Sequence, residues 1–196
     1  IGMIKELVNG EIVDPEVADA VMKAGSVLGE LGATVEEVSL PLTVHGGVIS
    51  AVLIGVEAAM TYRDWIRDDL HGFGHGNQIG LLTGSLMPAQ AYYKVQKLRE
   101  LVRRQVLGAL ENYDVLVLPT SRSCAPLSQD DPTITSKDMA ARMPPVMTRP
   151  FNLAGAPALS VNCGFNSQGL PIGLQIGGRP FHEETVLKVG HAYEQN

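Results

Sequence analysis

Cysteine is almost missing from this chain, with two residues, Cys124 and Cys163, among 196. That excludes a disulfide-built scaffold, and without a Cys-x-x-Cys spacing it matches no zinc or redox motif. Both are expected as free thiols in a reducing compartment, which points to the cytoplasm. A basic surplus is also absent, since 15 Lys and Arg stand against 21 Asp and Glu for a net charge of −6. Autonomous nucleic-acid binders usually carry such a surplus, so nucleic acid is excluded as a direct partner. No long apolar run is uninterrupted. The longest stretch, Gly46 through Val56 to Met60, is broken by Glu57 and falls short of the roughly 20 apolar residues that cross a bilayer. It reads as a buried helix, and no membrane partner is expected. No basic segment followed by an apolar core opens the chain, so no signal peptide is visible. The strand-like opening at Ile1 suggests that the protein starts earlier.

What is present is a packed globular composition, 45% hydrophobic and 18% charged. Strand-like and helix-like stretches alternate along it, without repeats or a dividing linker. Ile1–Leu7 is β-like. Asp14-Pro15 supplies a cap and first-turn proline for a helix whose apolar positions Val17, Ala20, Val21, Ala24, Val27, Leu28 and Leu31 recur at helical spacing before Gly32 ends it. Thr34–Leu40 alternates as a second strand, and His45–Arg67 reads as one helix. Leu70–Gly76 is a Gly-rich loop, and Pro88 opens the longest helix, with Tyr92, Val95, Leu98, Val102, Val106, Ala109 and Leu110 as its apolar stripe. Val115–Leu118 is uniformly apolar, as in a strand buried on both faces. Ser121–Pro145 is polar and aperiodic, a pattern that marks a functional excursion in a compact domain. Ala158–Val161 and Ile172–Ile176 are strands joined by a turn at Asn166–Gly169, and Glu183–Glu194 is a closing helix. The fold class is therefore α/β, a mixed sheet covered by helices.

Chemistry-bearing residues are sparse. His71 and His75 have a four-residue spacing suited to metal, but glycines at 72, 74 and 76 disfavour the helix that spacing needs. Gly72-Phe73-Gly74 and Gly177-Gly178 lack the strand-loop-helix context of a phosphate loop. The basic residues Lys94, Lys97, Arg99, Arg103 and Arg104 fall mostly outside the apolar stripe, on a solvated face. No metal or cofactor is expected. In open α/β sheets ligands sit beyond the carboxyl ends of strands, which directs attention to Thr120 and Ser121 after the buried strand. No base lies beside them in sequence, because Arg122 cannot accept a proton. They read as pocket wall or turn formers rather than nucleophiles. Phe151 and Asn152, on a turn before the next strand, are the candidate facing wall.

Two segments, RPFNLAGAPALSVNCGF from Arg149 to Phe165 and GLPIGLQIGGRPF from Gly169 to Phe181, resemble the carboxy-terminal region of the amidase signature family. AYYKVQKLR from Ala91, YDVLVLPTS from Tyr113 and the closing helix agree in order and spacing, so the resemblance spans essentially residues 1–196. It implies the amidase signature fold and hydrolysis of a small amide to acid and ammonia or amine by a Ser nucleophile, a cis-Ser and a Lys base. None of those three is in this chain, which has no Gly-Gly-Ser-Ser run. The implied partners are a small-molecule amide and the missing amino-terminal half, with a homo-oligomer possible. By itself the chain is expected to be inactive, contributing scaffold and a pocket wall at Thr120, Ser121, Phe151 and Asn152. Two departures are local: Asn162 stands where the family commonly has Pro, and His182 stands where Asp often caps the final helix. The amidotransferase branch, the A subunit of glutamyl-tRNA(Gln) amidotransferase, commonly carries a cationic stretch before the long helix. Here Gly76-Asn77-Gln78-Ile79-Gly80 has no cation, which favours a general amidase; a non-catalytic module derived from an amidase is the remaining alternative. As half of a larger fold, the chain is expected to leave an apolar patch uncovered near Thr120 and Phe151.

Overall fold

The structure, a computed structural model, describes residues 1–8, 12–126 and 147–196. In chain order its elements are β1 (Gly2–Ile4), α1 (Lys5–Val8), α2 (Pro15–Glu30), β2 (Glu36–Val38), a 3-10 turn (Pro41–His45), α3 (Gly46–Thr61) and α4 (Arg63–Asp68). A second 3-10 turn (Leu70–Gly72) precedes α5 (His75–Ser85), α6 (Ala89–Ala109), β3 (Val115–Pro119), α7 (Arg149–Ala154), β4 (Ala158–Phe165), β5 (Pro171–Gly178) and α8 (Glu183–Glu194). The expected functional excursion at Ser121–Pro145 falls largely outside the described residues.

One mixed sheet runs β2-β1-β3-β5-β4. The pairs β1–β2 and β1–β3 are parallel, while β3–β5 and β5–β4 are antiparallel. All five residues of β3 are buried, because it lies at the centre with helices over both faces. One face carries α2 and α8. There Gly25 admits the tip of Met3, Gly178 admits Val186, and Gly190 admits Leu159. The opposite face carries α7, with α6 and α3 stacked beyond it. The register aligns Gly2, Leu116 and Gly177 in one row of that face, and Phe151 fills the space that a side chain at Gly177 would occupy.

Several elements match the sequence reading. Asp14 caps α2, its carboxylate accepting from Glu16 N at 2.9 Å, and Gly32 follows the helix with φ +96°. His182 stands at the start of α8 without a side-chain capping bond, as a His there implies. Other elements are corrected. The β-like opening is strand only as far as Ile4; Lys5–Val8 turns helical because that carries Ile4, Leu7 and Val8, all essentially inaccessible, to one side. Thr34–Leu40 shortens to the three residues of β2, as many as β1 offers for pairing. The single helix His45–Arg67 breaks at Tyr62 into α3 and α4. His75–Ser85 is helical despite its glycines, which weaken helix propensity. The reason is tertiary, since Gly84 lies directly on the backbone carbonyl of Gly55 in α3, where any side chain would overlap it. The apolar stretch Pro41–Thr61 is long and apolar enough to cross a membrane, yet here α3 packs on α5 and α6 and buries Gly46, Gly47, Ile49, Ser50, Leu53 and Ala59.

Two glycines in α5 therefore carry opposite expectations. A Cβ at Gly80 meets nothing within 4 Å, so Gly80→Ala should stabilise by up to ~1 kcal/mol through helix propensity. Gly84→Ala should cost about 1–3 kcal/mol through overpacking against Gly55. Urea unfolding of the two variants measures both, and equal signs would contradict the α3–α5 contact.

Candidate functional site

The site is built at the carboxyl end of β3. Thr120 N donates to Gly173 O at 2.8 Å, extending the β3–β5 ladder one residue past the strand. Side chains alternate along a strand, so Thr120 points to the same face as Leu116 and Leu118, the α7 face. There its Oγ1 lies 2.6 Å from Ser160 Oγ on β4. The two hydroxyls close over Gly173 of β5, where a Cβ would lie 2.8 Å from one and 2.9 Å from the other. Three adjacent strands thus contribute one position each to a small hydroxyl-bearing surface. Within the pair one hydroxyl donates to the other, leaving one proton free to be donated outward. Ser121 follows, exposed in a bend, and Arg122 O accepts from Asp14 N at 2.8 Å, tying this loop to the start of α2.

Phe151 and Asn152 lie on the short helix α7 rather than on a turn. Phe151 is 1% exposed and packs on Gly177, so it holds α7 against the sheet; Asn152 is exposed on the same helix. The end of α7 is fixed by the left-handed Gly155, φ +65°, and by two arginines of α6. Arg99 Nε donates to Leu153 O at 3.1 Å, and Arg103 Nη1 donates to Ala154 O. Cations at the carboxyl end of a helix satisfy its last carbonyls and complement its dipole. These two basic residues of the long helix therefore serve this contact instead of a solvated face. On β5 the α7 face presents Gly173, the buried Gln175 and Gly177 in succession. Gln175 Nε2 reaches toward Met147 O at 3.5 Å. Thr120 and Phe151 consequently share a face but sit at opposite ends of this row, ~13 Å apart at strand spacing.

Ser160 is the residue that sequence reasoning missed. Its signal was the alternation of β4, in which Ala158, Ser160 and Asn162 face one way and Leu159, Val161 and Cys163 the other. The surface beside Thr120 also differs from the expected apolar patch. It exposes Ala158, Ser160, Asn162 and Ser121, while exposed large apolar side chains such as Val48, Ile54, Met60, Trp65 and Tyr93 lie on the helices α3, α4 and α6. The strand pleat explains this, because Leu159 and Val161, the large aliphatic residues of β4, are turned toward α8. Among the described residues no three His, Cys, Asp or Glu are grouped to hold a metal. His71 sits in a 3-10 turn and His75 starts α5.

The Amidase family matches residues 1–187. The chain belongs to this family. The A subunit of the glutamyl-tRNA(Gln) amidotransferase from Brevibacillus brevis is 38% identical across 100% of the chain, which spans 44% of that relative's length. The corresponding Picosynechococcus protein is 37% identical with the same coverage. Among solved structures, a crystal structure of an amidase superposes with a TM-score of 0.86 at 27% identity, covering all of this chain and 45% of that one. The crystal structure of the Thermotoga maritima A subunit of glutamyl-tRNA(Gln) amidotransferase gives a TM-score of 0.73 at 26% identity, with 42% of that chain covered. The chain therefore represents the carboxy-terminal portion of an amidase signature fold.

Cys163 lies within β4, and Cys124 packs at the start of β5. Cys124 Sγ lies 3.8 Å from both Leu170 O and Pro171 O, and burial, then Asp14 and Glu16, raise its pKa. Burial pushes the Cys163 thiol up to about 11. A raised thiol pKa leaves less thiolate, the reactive form, at neutral pH. Alkylation of the folded chain near about pH 7.5 should be on the order of a hundredfold slower at Cys163 than at a free cysteine, and the rate should climb through the alkaline range. Denaturation without reductant should release both thiols to titration, and recovering neither would contradict unpaired cysteines.

Proposed function

We propose that the complete protein hydrolyses a carboxylic amide to an acid and ammonia or amine, and that this chain supplies scaffold and one wall of the substrate pocket. The observation that carries this reading is family membership over nearly the whole chain, combined with coverage of under half of each relative. In this reading the serine nucleophile, the second serine and the lysine base belong to the portion outside the chain, together with the oxyanion donors that stabilise the tetrahedral intermediate. The chain's own contribution is geometric. Thr120 and Ser160 offer a paired hydroxyl surface at the strand end, with the exposed Ser121 beside it. Phe151 acts through α7, fixing the helix that presents Asn152. The substrate is a small amide, and the thiols Cys124 and Cys163 agree with a reducing, cytoplasmic setting.

A second reading, an amidotransferase A subunit, is favoured by curated relatives of that description at 36–38% identity. Against it stands Gly76–Gly80, the cation-free stretch, which forms the first half of α5.

Purified residues 1–196 should release no ammonia from a panel of simple amides, whereas the complete protein should turn over at least one of them without partner subunits. Dependence on copurifying subunits together with glutamine deamidation would favour the second reading, and no turnover by the complete protein would leave a non-catalytic module. In the active protein, Thr120→Val should lower kcat/KM about fivefold to tenfold, the effect of one lost hydrogen bond. Its thermal midpoint should be nearly unchanged.

A further inference from the structure

Arg99, Arg103 and Arg149 are the half-buried arginines among the described residues. The first two donate to the carbonyls of Leu153 and Ala154 at the end of α7. Arg149, in the first turn of the same helix, is different. Its Nε is shut off from solvent with no hydrogen-bond partner, and among the described residues its guanidinium makes no hydrogen bond or ion pair. Nearly all buried polar groups in folded proteins are paired, so this one calls for an acceptor. The two Nη atoms are likewise unpaired but are not shut off, since the residue is only half-buried. The stem is enclosed, and the fork at its tip is open.

The packing of α7 fixes where that residue lies. Phe151 rests on Gly177, Gln175 Nε2 reaches toward Met147 O, and Thr120 and Ser160 close over Gly173. Gly173, Gln175 and Gly177 follow one another on one face of β5. The amino end of α7 is therefore the end nearer the Thr120–Ser160 hydroxyls, and Arg149 belongs to it. Gly46, the first residue of α3, makes room for the stem, because a Cβ there would stand 3.0 Å from Arg149 Cβ. Neither α3 nor α7 carries an acidic residue in its first turn. The amino end of a helix bears partial positive charge and favours anions, so a guanidinium set beside the sixteen-residue α3 adds to a positive field that no neighbouring carboxylate among the described residues neutralises.

We propose that Arg149 receives a carboxylate of the substrate, so that the amide hydrolysed carries an acid group at its far end, as a monoamide of a dicarboxylic acid does. The inference rests on the amide-hydrolysis reading and narrows its substrate class. A guanidinium presents coplanar N–H groups that match the two oxygens of a carboxylate. Here the enclosed stem orients that fork before anything binds, which lowers the ordering cost of binding. The hydroxyl pair of Thr120 and Ser160 is neutral and can bond to either end of a small polar molecule. A fixed cation at the neighbouring helix end tells the two ends apart. Arg149 is thus a specificity-determining residue and takes no part in breaking the amide bond.

In the complete protein, the monoamides succinamate and glutaramate should be hydrolysed with kcat/KM about tenfold or more above the neutral diamides succinamide and glutaramide, the effect of one charge-assisted contact. Arg149→Met keeps an unbranched stem beside Gly46 and removes the charge. It should lower kcat/KM for each monoamide about thirtyfold more than for the matching diamide, with the loss in KM. Arg149→Lys keeps the charge without the fork and should fall between. Calorimetric titration with succinate needs no turnover, and its Kd should weaken about tenfold or more in Arg149→Met. If no amide is hydrolysed while succinate binding depends on Arg149, the hydrolysis reading fails and Arg149 remains a carboxylate site. If amides are hydrolysed without preference for the carboxylate-bearing series, this inference fails and the hydrolysis reading stands. It is equally overturned if succinate fails to bind, or binds wild type and Arg149→Met alike. Equal loss on both series with a fallen thermal midpoint would overturn it too, making Arg149 the partner of a carboxylate of the protein itself.

Discussion

The contact between the Phe151 ring and the bare backbone of Gly177 holds the two halves of this structure together. Among the described residues Phe151 is the largest of the nearly inaccessible side chains, and it sits on the sheet at Gly177 of β5, whose lack of a side chain lets α7 come down flat. Everything on that face depends on it. Helix α7 is only six residues long, too short to persist without tertiary support. The aromatic anchor fixes one side of it, and Arg99 and Arg103 of α6 fix its carboxyl end. Through those arginines α6 is positioned, and through α6 the outer layer of α3 and α5.

The same sheet is asymmetric in what it presents. Toward α2 and α8 its alternate positions are apolar and covered. On the opposite face α7 lies over Gly177 of β5, while the strand ends beyond it carry hydroxyls and small residues. An uncovered apolar surface there would be an aggregation hazard for any species in which it met water. A surface of Thr120, Ser160 and Asn162 tolerates solvent and still offers hydrogen bonds to whatever is placed against it. The proposed pocket wall is a consequence of this one pleat.

Much of the architecture was legible in the sequence because it rests on local rules. The cap at Asp14 and proline at Pro15 started α2, uniform apolarity marked β3 as buried on both faces, and Asn166–Gly169 turned the β4–β5 hairpin. Where local rules conflicted with packing, the reading failed. Glycines 72, 74 and 76 marked Leu70–Gly76 as a loop, but α5 already begins at His75 and runs on through Gly84, which meets Gly55. The β-like residues after Ile4 bend into α1 because burial of Leu7 and Val8 requires it.

The candidate site divides along the same line. Sequence alone determined the family resemblance, the strand that ends at Thr120, and the absence from this chain of the Gly/Ser-rich signature, since each is a matter of residue order. Only the tertiary structure decided that Ser160 is the partner of Thr120 and that Phe151 is a buried anchor. It also decided that the arginines of α6 bind the end of α7. The physical reason is that register across strands is set by hydrogen-bonded pairing between segments distant in sequence: Ser160 lies 40 residues from Thr120. Nothing in either segment specifies that meeting until β5 is laid between them.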